Sequence, residues 1–214
     1  MLYNPIKRDW DRDIMAAFGL PERIFPPIDM PGTMRGRLRS DIARELGINC
    51  AAFAAVGTHD TASAVAAIPG SGSFAFCSSG TWSVFGIETD IPLLTDEVRD
   101  AGFSNEGTVQ GGFRPLKNIM GLWLIQECRR EWQAEGISLS WDEIVREAEA
   151  AEPFRSIIDT DHTPLPSPAG ACGKRYASSA PRQNQPLPDT VGRFARCIYE
   201  SLALKYRYTL DRLS

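Results

Sequence analysis

Along the 214-residue chain the spacing of apolar residues keeps changing, and each change marks an element. Over residues 1–38 no period holds. The run IFPPIDMPGTMRG is dense enough in Pro and Gly to favour extended segments and turns. Ser40 reads as the N-cap of a short helix over residues 41–46, with Gly47 as its stop. Residues 51–56 are short, apolar and bounded by turn residues, which predicts a buried strand, and a helix over 60–67 follows. Pro69-Gly-Ser-Gly72 marks a turn and a domain boundary, giving domains over 1–68 and 69–214.

Past that turn, residues 73–77 and 82–87 alternate apolar and polar around Ser78-Ser-Gly-Thr81, the pattern of a strand–turn–strand hairpin. Residues 95–104 predict irregular chain or a short strand. Residues 118–135 predict a helix, capped by Asn118, with Ile119, Leu122, Trp123, Ile125 and Trp132 on one broad face. Ser140-Trp-Asp-Glu143 is a capping box opening a helix over 141–151. A long Pro/Ser/Ala loop spans 153–187. A last helix spans 190–213, with Val191, Phe194, Ile198, Leu202, Tyr206, Leu210 and Leu213 on one stripe. The chain stops just after that stripe, as if inside a domain. The helix is therefore expected to expose apolar surface and to drive self-association, as a homodimer.

Composition narrows the class. Hydrophobic content of 43% and charged content of 23% are ordinary for a globular protein. A net charge of −4 argues against a nucleic-acid partner bound by phosphate neutralisation and against a membrane surface. The five cysteines form no CxxC pair. They read as reduced thiols, mostly in apolar or helical contexts, in a cytoplasmic protein without structural zinc.

Three places carry candidate chemistry. In VGTHDTASAV, His59-Asp60 stands between strand and helix, so Asp60 is either a general base or a plain N-cap with Ser63 three residues on. A serine hydrolase would need a nucleophile elbow such as GxSxG, and one His with one Asp is too few ligands for a metal. Ser78-Ser-Gly-Thr81 either presents amides and hydroxyls to phosphate oxygens or is only a hairpin turn. It is not a Walker A loop. Lys117 either meets an anion or is solvated, Arg129-Arg-Glu131 reads as a solvent-facing charge run, and His162 as exposed.

Taken together, VGTHDTASAVAAIP, FAFCSSGTWSVFGIE, FSNEG, LKNIMGLWLIQECRREW and RCIYESLALKYR resemble the FGGY family of carbohydrate kinases. His-Asp, where most members carry Gly-Asp, points to the branch acting on L-rhamnulose. The resemblance implies an actin-like, ribonuclease-H-like α/β ATPase fold in part: the end of a sugar-binding first domain (1–68) and most of a nucleotide-binding second domain (69–214). It implies Asp60 as catalytic base, His59 as a sugar contact, and Ser79, Gly80 and Thr81 as holders of ATP phosphates. It implies ATP and Mg²⁺ as cofactors, the metal bridging phosphate oxygens without protein ligands of its own. The family's N-terminal phosphate loop and its Gly-Gly-Gly adenosine motif have no counterpart in this sequence, and SPAGACGKRYASSAPRQ stands where the family has a short amphipathic helix. The isolated chain is therefore expected to be inactive. Two other readings stay open: a kinase for a different sugar such as fuculose, and a non-catalytic interaction module.

Overall fold

Local chemistry starts the N-terminal part. The Asn4 side-chain oxygen accepts the amides of Ile6 and Lys7, both at 3.0 Å, tightening the turn between β1 (Tyr3–Asn4) and its antiparallel partner β2 (Asp9–Trp10). Asp11 then caps α1 (Arg12–Ala17) by accepting the Ile14 amide. These coordinates are a computed structural model that describes residues 2–70, 72–162 and 185–213.

β3 (Met34–Arg37) pairs antiparallel with β4 (Ala52–Ala54). The expected strand at 51–56 is present, but its residues are exposed rather than buried, because this two-stranded ribbon carries no covering layer on either face. Between its strands lies α2 (Ser40–Glu45), where Ser40 is the first helical residue and Arg39 occupies the cap with no side-chain bond. Gly47 ends that helix at φ +64°, the left-handed conformation glycine adopts without strain. α3 (Asp60–Ala66) follows.

β5 (Ala75–Ser79) and β6 (Trp82–Ile87) form the expected hairpin, shifted two residues so that Ser78 and Ser79 are still strand. The segment 95–104 holds a helix that periodicity missed. In α4 (Asp96–Asp100) the Thr95 hydroxyl accepts the Val98 amide, and β7 (Ser104–Gly107) comes next. The expected helix at 118–135 begins instead as β8 (Phe113–Met120), so Asn118 is a strand residue and not a cap. The four strands run in the order β5-β6-β8-β7. A Cβ on Gly86 would sit 2.4 Å from the Pro115 carbonyl, so β6 and β8 approach closely only because that residue is glycine.

The chain forms two compact units, Met1–Phe76 with Gly86–Leu116, and Cys77–Phe85 with Lys117–Ser214. The core of the second unit is built from three helices: α5 (Trp123–Ala134), α6 (Trp141–Ala150) and α7 (Val191–Leu210). Ile119, Ile125, Ile144 and Ile198 are its most buried large side chains, and each contributes about 1.5–3 kcal/mol by leaving water. Of the expected stripe on the last helix, Ile198 and Leu202 are buried there and Val191, Phe194, Tyr206 and Leu210 pack against them half-buried. The capping box of α6 forms as expected, with Ser140 and Glu143 bonding reciprocally.

The charge run Arg129-Arg-Glu131 does not face solvent as a whole. Arg129 donates to the Leu139 carbonyl and lies over the Trp141 ring, and Glu131 is buried, since a helix turns successive residues onto different faces. Lys117 is not a solvated cation either, because its ammonium lies 3.5 Å from Asp161. Cys50, Cys77 and Cys197 are free thiols, the first two exposed, whereas Cys128 is disulfide-bonded. The expectation of reduced thiols fails at Cys128 because helical periodicity reports burial and not pairing. The His162 side chain and the loop residues 163–184 lie outside the described residues. Among the described residues no helix is long and apolar enough to cross a membrane.

Candidate functional site

In the first unit, the chain leaves β4 through Gly57, where a Cβ would crowd the Val109, Ala62 and Ser63 side chains at 3.2–3.4 Å. Ser63 donates its hydroxyl to the Gly57 carbonyl at 2.9 Å. The segment thereby enters α3 with His59 as the N-cap residue, making no side-chain cap bond. Asp60 is the first helical residue and accepts the Thr61 amide at 2.7 Å. The plain-cap alternative for Asp60 is therefore wrong: His59 holds the cap position, and Ser63 turns back to Gly57. A carboxylate in the first turn is favourably placed in the field of the helix. The Asp60 side chain is 97% exposed, so its oxygens are open to a ligand.

His59 is held at one edge and faces Asp60 with the other. Its Nδ1 lies 3.1 Å from Glu106 Oε2, and its Nε2 lies 3.6 Å from Asp60 Oδ1. Glu106 comes from β7 and also accepts Arg114 Nη2 at 2.9 Å. A cleft of about 1240 Å³, more than a monosaccharide requires, is lined by Asp29, Arg35, His59, Asn105, Glu106 and Arg114 among others. Asp29 and Arg35 form an ion pair on its wall, and Asn105 clamps the 93–95 loop by exchanging two hydrogen bonds with Leu93.

The second set of candidate residues lies in the other unit. Ser79 ends β5, and Gly80 and Thr81 form the tip before β6. The tip is fixed from below. Gly80 and Thr81 carbonyls accept the amides of Leu122 at 2.9 Å, Gly121 at 3.1 Å and Trp123 at 3.2 Å, at the start of α5. A Cβ on Gly121 would meet the Gly80 carbonyl at 2.7 Å, so this docking requires glycine. Beneath the tip, the fully buried Ser83 hydroxyl shares a 2.6 Å hydrogen bond with the Tyr206 phenol. Burial pushes the Tyr206 phenol above its ordinary pKa, with the Ser83 bond opposing. The Ser79 and Thr81 side chains remain exposed, and the Thr81 hydroxyl lies 3.5 Å from the Gln126 amide oxygen. Exposed hydroxyls on a rigid tip suit phosphate oxygens.

The structure thus gathers His59 and Asp60 at one place and Ser79, Gly80 and Thr81 at another. It adds Glu106, Arg114, Gln126 and Tyr206, to none of which the sequence reading gave a role in a site, although Glu106 and Gln126 lie in quoted motifs and Tyr206 was read as part of an apolar stripe. The only local signal was an arginine and a proline set among apolar residues in Phe113-Arg-Pro-Leu116. Among the described residues no group of three or more His, Cys, Asp or Glu side chains could hold a metal. The donors present at both places are hard oxygens, the type that suits Mg²⁺ shared with phosphate groups.

Residues 75–214 match the C-terminal domain of the FGGY family of carbohydrate kinases. The chain is 40% identical over 215 residues to a rhamnulokinase of Bacteroides thetaiotaomicron, covering 99% of this chain and 43% of that protein. It is 35% identical to a rhamnulokinase of Enterococcus faecalis, covering 42% of it. Among solved structures, a xylulose kinase from Lactobacillus acidophilus superposes with a TM-score of 0.75 at 12% identity, over 99% of this chain and 42% of that one. A gluconate kinase from the same organism gives 0.70 at 13% identity. The chain therefore spans about two-fifths of the length of these relatives.

Proposed function

This chain belongs to the FGGY family of carbohydrate kinases and has part of their actin-like fold, and on that premise we propose that it carries the base and a phosphate-binding tip of an ATP-dependent L-rhamnulose kinase. The observation that carries the reading is His59-Asp60 at the head of α3, an exposed carboxylate beside an oriented imidazole, in a chain 40% identical to a rhamnulokinase.

In this reading Asp60 accepts the proton of the sugar's 1-hydroxyl while that oxygen bonds to the γ-phosphorus. The bond from the γ-phosphorus to the bridging oxygen breaks, and ADP leaves. A carboxylate is a weak base for an alcohol. It suffices where the transition state is loose and positioning with charge stabilisation dominates. His59 offers the sugar a ring edge. Ser79, Gly80 and Thr81 hold phosphate oxygens, and the docked tip keeps them from moving during transfer. When bound with the phosphates, Mg²⁺ would supply positive charge to balance theirs.

Residues 1–68 then close a sugar-binding domain and 69–214 form much of a nucleotide-binding one, in a cytoplasmic enzyme fed by ATP. The family match starting at residue 75 supports the second assignment. Because the chain spans 42–43% of the rhamnulokinases it matches, turnover is assigned to a polypeptide of their full length, and this chain alone is expected to turn over little sugar.

The test is ADP release with L-rhamnulose and with L-fuculose, for this chain and for a version extended to the relatives' length. Turnover of L-rhamnulose by the extended form, lost in Asp60→Asn, supports the reading. Preference for L-fuculose would move the substrate. Turnover that survives Asp60→Asn would remove Asp60 as base.

A further inference from the structure

We propose that Glu106 and Arg114 are positioning residues for the His59–Asp60 pair, fixing the His59 ring as its Nδ1–H tautomer with Nε2 turned toward Asp60. The inference rests on the reading of His59 and Asp60 given above and adds two residues to it.

The register of the sheet creates the pair. Across antiparallel β7 and β8, Glu106 stands directly opposite Arg114, where opposite charges attract. Arg114 is 1% exposed, so its guanidinium is buried in the wall of the cleft. Its Nη2 donates to Glu106 Oε2, while Nε and Nη1, both buried, have no hydrogen-bond partner. A buried cation with one anion holds that anion firmly, because losing it leaves an uncompensated charge. A structural arginine normally satisfies more of its five N–H donors. This one is committed to a single carboxylate oxygen.

That same oxygen also meets His59 Nδ1 at 3.1 Å. An ionised carboxylate only accepts hydrogen bonds, so Nδ1 carries the proton. The hydrogen bond at one ring nitrogen sets what the other presents. Here the second nitrogen, Nε2, faces Asp60 Oδ1 at 3.6 Å. His59 is half exposed and would otherwise rotate about its ring torsion. Glu106 removes that freedom, and the buried Arg114 removes the freedom of Glu106. A fixed cation thus holds the ring beside the proposed base through one intermediary, with the unprotonated Nε2 in contact with Asp60 but not hydrogen-bonded to it.

The charged groups facing His59 are Glu106 on β7 and Asp60 on its own helix, with Arg114 behind Glu106. The chain has two histidines, so a ¹⁵N-labelled His162→Gln variant shows one ring. Long-range ¹H–¹⁵N correlation at about pH 8.5, above the ordinary histidine range, reads the tautomer directly. The expected spectrum is the Nδ1–H pattern, lost in Glu106→Met. An Nε2–H pattern in the parent, or a pattern unchanged in Glu106→Met, overturns the proposal. Glu106→Met strands Arg114, so the double variant Glu106→Met/Arg114→Met, which removes the pair together, is measured beside it with the same expectation.

Kinetics give the second arm. In the extended polypeptide, Glu106→Gln is expected to lower kcat/KM for L-rhamnulose about ten- to hundredfold, the cost of a slightly misplaced group, with KM for ATP unchanged. Unaltered kcat/KM overturns the positioning role even if the tautomer is as expected. Full turnover in Asp60→Asn would instead overturn the reading of Asp60 as base, and the positioning role with it.

Discussion

At the scale of single residues, function is proposed to rest on side chains whose partners are distant in sequence. Ser83 is fully buried and its hydroxyl is shared with Tyr206, 123 positions away. Tyr206→Phe leaves that hydroxyl in the interior without its partner, and is expected to cost about 1–3 kcal/mol of stability, measured by chemical denaturation. The proposed phosphate-binding tip should loosen, raising KM for ATP more than KM for sugar in the extended polypeptide. Asp60 and His59 stood out in the sequence because the motif around them resembles a known family. Their setting did not stand out. Glu106 reaches His59 only because β7 pairs with β8, and register between distant strands leaves no local trace. Arg114 was legible at most as an oddity, a charge among apolar residues.

At the scale of elements, the legible parts are those specified by their own sequence. The capping box at Ser140–Glu143 is an example, since both partners lie within four residues. Its hydrogen bonds, first the Ser140 amide and then the Ser140 hydroxyl, hold the Glu143 carboxyl below its ordinary pKa. A carboxyl with a depressed folded-state pKa stabilises the protein above its unfolded value, near 4.5, and that contribution is lost as pH falls through the folded value. Ser140→Ala is expected to flatten this part of the acid-unfolding profile, followed by circular dichroism between about pH 5 and pH 3. β8 shows the opposite case. Pro115 speaks against a central strand, and Lys117-Asn118 looks like a helix start. Four consecutive residues, Phe113 to Leu116, are buried, so no alternation marks a strand. Close packing of elements is equally invisible in advance. Gly192 lets α7 cross α6, since a Cβ there would lie 2.3 Å from the Glu147 carbonyl. Gly192→Ala is expected to destabilise the second unit by about 1–3 kcal/mol, lowering its melting temperature while leaving the first unit's spectrum unchanged.

At the scale of the whole molecule, the chain changes unit three times, after residues 76, 85 and 116. Composition and periodicity do not reveal this interleaving, because β5, β6 and β8 each run from one unit into the other. A peptide of residues 1–76 lacks the stretch 86–116 that completes its unit. It is expected to give a poorly dispersed ¹H–¹⁵N spectrum, whereas a dispersed, folded spectrum would show that the second stretch is dispensable. The interleaving also reaches beyond folding, to how genes of this family can be rearranged. Neither unit corresponds to one uninterrupted stretch of coding sequence. A single crossover between two such genes, placed anywhere from codon 77 to codon 116, leaves at least one unit with halves of different parentage. If the proposed function holds, shuffling a new sugar specificity onto an old nucleotide site would therefore need coordinated exchanges at several junctions. Changing the first unit one residue at a time is the shorter path.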